Sequence, residues 1–485
     1  MKVFTALQQP YVYLLNLLVP YVKKISGKWR DIIVEIALGM IIFIPFYEDI
    51  FIFSPVPHSA TFRPLISCLF FLIAVVFSIK GEIRPVRLNH GPVVFFALYI
   101  VTLTAAFIIK LIPPERGSRA ELLSWFVIYA ALLPMLFIIW TNRGDLSSMY
   151  QKLTRPYSCI FTMYCGAMIL RGDWADVQGE LRLTGTTTHP NTMAILIFTG
   201  MTCCLYHLLT EEFSVLSGIY GLGFCLGSFT LKLTGSRTTL LGVIAAMLVM
   251  VVYVLMKKNR KATFVMLGAC AAAVVFFLLA GPYYNSEMQK VFLDEAVVSA
   301  SEADAEAAKA EMVEAEMAAL EASRENRVSM EGKNLNGILN NRPVIWKNYF
   351  KYMNSFGTDT IDRYVLLLKS HQQTGVSMAG HAHNHYIQMA FDYGAVPISF
   401  SLLIAISAAV YVGFCVFGRY PFEKHAVFSI FAICEFCITA IPEYCGRPLY
   451  TVVSLLYIFA LVPVFCHQKP EPDEPAAEAE AEAEQ

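Results

Sequence analysis

Charge is scarce in this chain. Only 15% of its 485 residues are Asp, Glu, Lys or Arg, against roughly 25% in average soluble domains, and they cluster between long apolar runs. That pattern excludes a soluble domain, and an apolar content of 56% points to a polytopic membrane protein. A formal net charge of −1 comes with no basic stripe interleaved with aromatics, which excludes nucleic acid as a partner. Cysteine chemistry is missing as well. Eleven of the twelve cysteines lie in or at the ends of apolar segments, where a thiol behaves as a small hydrophobe; only Cys445 falls in an expected external turn. Cys434 and Cys437 lie inside a span, so neither a metal knuckle nor a disulfide framework is expected. The first thirty residues lack a small-residue cleavage site. They read as an amphipathic, aromatic interfacial helix followed by Lys23, Lys24, Lys28 and Arg30, rather than as a removed signal.

What is abundant is apolar sequence of bilayer length, about 20 residues with tolerance for tilt. Such runs recur near 32–53, 64–79, 91–112, 120–140, 157–170, 192–209, 214–231, 238–256, 262–280, 386–417, 425–441 and 448–466. They predict an all-α polytopic membrane protein with about twelve transmembrane helices. Lys and Arg concentrate on cytoplasmic loops. With the N-terminus inside, one set of segments collects Lys80, Arg84 and Arg87; Arg143, Lys152 and Arg155; Lys257, Lys258, Arg260 and Lys261; and Arg419, Lys424 and Lys469. The opposite short loops hold fewer, which supports both termini inside. The expected organisation is a cytoplasmic interfacial segment (1–31), spans one to nine (32–280), one large, mainly helical outer loop (281–385), spans ten to twelve (386–466) and a disordered acidic cytoplasmic tail (467–485). Within the loop, Asp294 to Asn326 is an Ala/Glu-rich solvated helix without chemistry.

Ionisable groups held near the membrane boundary are functional candidates by default. The densest cluster is Gly380 to Gln388, which places three of the ten histidines within five residues. Three other stretches carry an arginine on the same expected face: Arg182 to Asn191, Lys232 to Thr238, and Asn341 to Trp346. Each candidate also has a plain reading. Arg237 is then a snorkelling arginine at a span end, and Arg182 and Arg342 pair with Asp173, Asp176 or Glu180. Asn191 and Asn384 cap or orient helices, while Tyr386 and Trp346 serve as belt aromatics or sugar-stacking platforms. His381 and His385 shape the loop around His383. A histidine cluster can bind a transition metal, but no clear carboxylate or cysteine partner is visible and arginines are near, so no metal site is expected. His189 and Glu443 carry no assignment, and Glu35, Glu48 and Asp49 have no nameable partner.

Four motifs in this order are Arg182-x-x-Gly185 with Pro190-Asn191, Ser236-Arg237-Thr238, Arg342-x-x-x-Trp346, and His383-Asn384-x-Tyr386-Ile387-Gln388 with Gly394. Together they resemble the O-antigen ligase and O-antigen polymerase superfamily over roughly residues 180–400. Ile387 replaces the family's usual Leu, and the Ala/Glu insert has no counterpart there. The resemblance implies a bacterial glycosyltransferase of the cytoplasmic (inner) membrane, acting on its outer face. It implies a polyprenyl-diphosphate-linked glycan as donor, a glycan or lipid hydroxyl as acceptor, contact with membrane lipids, and no cofactor. The residues suit that chemistry. A departing diphosphate needs its charge stabilised, and the planar fork of arginine grips phosphate oxygens bidentately; Arg182, Arg237 and Arg342 are the candidates. The attacking hydroxyl must lose a proton, and a histidine accepts one near neutral pH; His383 is the expected base, with Asn384, Tyr386 and Trp346 at the substrate. Direct displacement inverts the anomeric centre.

Other classes remain open at this point. A polymerase of the same superfamily uses the same donor chemistry. A lipid-linked glycan transporter also has twelve spans and buried charges, but it would more often show related halves and interrupted helices, and no such repeat is visible. A non-catalytic assembly protein explains the loop and tail but not the four motifs.

Overall fold

The computed structural model describes residues 2–50, 62–111, 119–176, 181–187, 189–299, 342–357, 382–418, 421–445 and 451–466. The Ala/Glu-rich stretch beyond Ser299, the residues Gly380 and His381, and the acidic tail lie outside the described residues. The helices in chain order are α1 (Lys2–Val22), α2 (Gly27–Ile50), α3 (Phe62–Phe77), α4 (His90–Leu111), α5 (Arg119–Val127), α6 (Leu133–Arg143), α7 (Leu146–Arg171), α8 (Pro190–Thr210), α9 (Val215–Thr234), α10 (Arg237–Met256) and α11 (Arg260–Ser299). After these come α12 (Arg342–Lys351), α13 (His385–Tyr393), α14 (Ala395–Phe417), α15 (Lys424–Ala440), α16 (Val452–Ala460) and α17 (Val462–Phe465). A π-helical turn, Ile128–Leu132, joins α5 to α6.

Helices stand at each of the twelve places where hydropathy predicts a span. Among the described residues, seven are long and apolar enough to cross a membrane, and Pro64–Phe77 and Val452–Phe465 are shorter apolar helices. The protein is thus an all-α membrane protein by length and composition, while the expected count of twelve spans is not reached on this measure. The centre is α8, whose span is 89% buried; α4 and α11 are only 17% buried. The outer helices turn large apolar side chains outward, among them Leu241, Phe264, Leu278 and Phe414. Such a surface suits acyl chains rather than water.

Two elements depart from the hydropathy reading. Span ten, expected as one run, is divided at Gly394 into α13 and α14. The backbone of residues 354–357 seats on that break: Asn354 O accepts from Ala395 N at 2.9 Å, and Ser355 O from Val396 N at 3.3 Å. Gly394 has φ +106°, and a Cβ there would lie 2.2 Å from Ser355 O, so both the dihedral and the close approach demand glycine. Second, α11 does not stop at residue 280 but runs through Pro282 to Ser299. Its extension presents Tyr283, whose hydroxyl donates to Ile169 O (2.7 Å), and Tyr284, whose hydroxyl donates to Leu181 O (2.9 Å). Tyr283 thereby ties the extension to α7, and Tyr284 holds a small antiparallel hairpin absent from the all-α expectation, β1 (Trp174–Asp176) and β2 (Leu181–Leu183). Leu183 is buried with Leu233, Tyr284 and Met288 in a satellite core beneath it.

Helices α8, α9 and α10 follow one another through short turns, so the turn 235–236 and the start of α8 share one end of the bundle. The other end carries the basic residues. There Arg155 pairs with Glu211 (3.0 Å) and Glu35 (3.4 Å), and Lys257 donates to Gly418 O at 2.7 Å.

Candidate functional site

The hairpin aims Arg182 inward. Its buried guanidinium donates from Nε to Thr234 O at 2.6 Å, the last residue of α9, and from Nη2 to Asn191 Oδ1 at 3.2 Å. A cation at a helix C-terminus satisfies an orphan carbonyl and the negative end of the dipole. The chain leaves this strand through Gly185, whose φ is +55° and whose added Cβ would fall 2.9 Å from Met168 Sδ. This accounts for glycine in the first motif.

At the start of α8, His189 is the N-cap, and its Nδ1 accepts the Asn191 N–H at 3.1 Å. Burial and then the charge of Arg182, with His383 adding to it, hold the His189 imidazole below its ordinary value against the opposing pull of Glu443. Asn191, the second residue of α8, bridges two partners, since its Oδ1 accepts from Arg182 and its Nδ2 donates to Glu443 Oε1 at 3.0 Å.

Glu443 follows α15 and is the hub. Its carboxylate side chain is only 3% exposed. Oε1 accepts from Arg342 Nη2 (2.7 Å), Asn191 Nδ2 (3.0 Å) and Thr238 Oγ1 (3.2 Å). Oε2 faces His383 Nδ1 at 3.5 Å. Burial raises the Glu443 carboxyl, but the hydrogen bond of His383, the charges of Arg342 and His383, and the Thr238 hydroxyl outweigh it and hold the group below the ordinary glutamate value. Among the described residues, no group of three or more His, Cys, Asp or Glu is placed to hold a metal ion.

His383 is fixed by its neighbours. Its φ is +47°, a left-handed conformation that costs a non-glycine residue about 1–3 kcal/mol and that its surroundings must impose. On one side Trp346 Nε1 donates to Ala382 O (2.9 Å), and Gln388 Oε1 accepts from Ala382 N (2.8 Å). On the other, Asn384 caps α13 by accepting from Ile387 N (2.9 Å) and donates from Nδ2 to Ile441 O (2.8 Å). Residues of the fourth motif thus build the support of its histidine.

Of the residues singled out in the sequence, Arg182, Arg342 and His383 meet in one network, and Asn384 and Trp346 support it. Arg237 opens α10 with its side chain exposed, one residue from Thr238. Tyr386 is half-buried against the bundle core rather than against this network. Arg182 turns to Asn191 and Arg342 to Glu443, while Asp173 pairs with Arg171; of the other partners in the plain reading, Glu180 lies outside the described residues. His385 is buried between Phe436 and Tyr444. Glu443 has no assignment in the sequence, Asn191 reads there only as capping or orienting a helix, and Thr238 enters only as part of its motif. An acid closing an apolar run is a signal by itself, but nothing local names its partners.

Fold and site together define a multi-pass, all-α membrane protein with a charged cluster at one end of its bundle. Residues 222–400 match the family model described as O-antigen ligase, which supports the likeness of this part of the chain to the O-antigen ligase superfamily. The match includes Arg237, Thr238, Arg342, Trp346, His383 and Asn384; Arg182, His189 and Asn191 precede it and Glu443 follows it. At the level of the family it supports a membrane glycosyltransferase role. No curated protein and no solved structure matches the chain.

Proposed function

We propose that the chain transfers a glycan from a polyprenyl diphosphate to an acceptor hydroxyl at the outer face of the bacterial cytoplasmic membrane, in the manner of a ligase. One observation carries this reading. Arg342 and His383 meet a single buried carboxylate, and Arg182 joins them through Asn191, each within a motif of the superfamily. Arg182, Arg237 and Arg342 grip the diphosphate and stabilise its leaving charge without a metal. His383 takes the proton of the attacking hydroxyl. The hydroxyl oxygen bonds to the anomeric carbon as the bond to the phosphate oxygen breaks, and one displacement of this kind inverts the centre. A product with retained configuration would contradict it.

The test uses the full chain purified in detergent with a polyprenyl-diphosphate glycan, with and without a candidate acceptor. A single conjugate formed only with acceptor supports the ligase; a ladder without acceptor means a polymerase of the same superfamily. Movement of the lipid-linked glycan across vesicles with no transfer would mean a transporter. The variant His383→Ala is expected to lower transfer by about 10²–10⁴-fold, the usual worth of a general base, while eluting as a folded species.

A further inference from the structure

We propose that Glu443 is a positioning residue for His383: its carboxylate holds the imidazole with Nδ1 protonated, so that Nε2 is the nitrogen that receives the acceptor proton. The inference rests on the reading of His383 as base, and deepens it. An ionised carboxylate has only acceptors to offer, so the Nδ1 facing it must be the donor. The carboxylate divides its two oxygens: Oε1 is taken by Arg342, Asn191 and Thr238, and Oε2 faces His383 Nδ1 at 3.5 Å. That separation is long for a hydrogen bond, as base–orienter contacts are in unliganded enzymes before the site tightens.

Two further observations point the same way. A carboxylate with a 3% exposed side chain is costly unless it is paired and hydrogen-bonded, and here its partners come from four separate parts of the chain. The backbone of His383 is meanwhile held in a left-handed conformation by bonds on both of its flanks. Ring and backbone are thus constrained independently toward one orientation, the arrangement that a preorganised base requires. The same carboxylate sets the amide of Asn191, whose Nδ2 donates to Glu443 and whose Oδ1 therefore accepts from Arg182. As the base takes its proton the imidazole becomes a cation with an N–H at each nitrogen, and the adjacent carboxylate stabilises that charge. The electron pair of the broken bond leaves with the diphosphate, and the proton passes from Nε2 to solvent.

The experiment combines kinetics with a measurement that needs no turnover. On the full chain in detergent, Glu443→Gln is expected to lower kcat by at least about tenfold, beyond any rise in donor KM that follows from its contacts to Arg342 and Asn191, and Glu443→Asp to recover part of the loss. Added to His383→Ala, Glu443→Gln should lower the residual rate no further. Nitrogen-15 NMR of histidine-labelled protein, with the His383 signals assigned through His383→Gln, should show the Nδ1–H tautomer in the wild type and its loss in Glu443→Gln. An Nε2–H tautomer in the wild type, an unchanged kcat in Glu443→Gln, a loss confined to donor KM, or an additive loss in the double variant would each overturn the proposal. A wild-type chain that transfers no glycan would overturn the functional reading instead, and the tautomer would still decide the Glu443–His383 contact.

Discussion

Glu443 stands beside Arg342, His383, Thr238, Asn191 and His189, and its buried carboxylate is the charge that reconciles them. Its position predicts an acid-dependent stability. Burial raises the carboxyl, while His383, Arg342 and Thr238 more than offset that and lower it. A carboxyl lowered on folding stabilises the folded chain above its unfolded value, about 4.3 for glutamate, and that contribution is lost as pH falls through the lower folded value. Thermal unfolding in detergent is therefore expected to drop steeply in Tm on acidification below about pH 4, and the Glu443→Gln variant to lose part of that slope. Equal acid slopes in the two proteins would contradict the lowered carboxyl. His383 was legible in the sequence because a histidine cluster at a span end is a local feature. Glu443 was not, since its partners Asn191 and His383 lie 252 and 60 residues away.

At the scale of elements, the hairpin and the broken span decide where the charged side chains stand. The clamp of α11 on the hairpin predicts that Tyr284→Phe, by deleting the hydrogen bond to Leu181 O, costs about 0.5–1.5 kcal/mol. Because Arg182 follows Leu181 on the same strand, the donor KM is expected to rise while kcat changes less. Unchanged steady-state kinetics would separate the hairpin from donor binding. Gly394→Ala puts a Cβ 2.2 Å from Ser355 O at a positive φ, so its cost is expected to exceed the ~1 kcal/mol of an unstrained change at glycine. It should lower Tm and dislodge residues 354–357, read as faster proteolysis next to α12. Neither element was visible in hydropathy. Span ten is apolar on both sides of Gly394, and Gly281-Pro282 reads as a stop, although α11 continues because Tyr283 and Tyr284 find partners on the next layer.

For the whole molecule, the charged cluster and the basic loop residues occupy opposite ends of the bundle. The charge bias of the loops predicts that the cluster faces outward. All twelve native cysteines are buried or half-buried, which keeps the labelling background low. In intact cells a membrane-impermeant maleimide is expected to label Arg171→Cys, next to the hairpin, and to spare Arg260→Cys at the basic end; the reverse pattern would invert the topology. By itself the sequence determined the membrane class, the places of the helices and the motif residues, because hydropathy and helical length are properties of contiguous segments. Tertiary structure alone decided that α11 carries the hairpin, that Gly394 divides a span, and that Arg182, Arg342 and His383 share one network. The cause is the same in each case: a buried charge or carbonyl must find its partner wherever the fold brings one, and for Glu443 those partners come from segments that no local pattern connects.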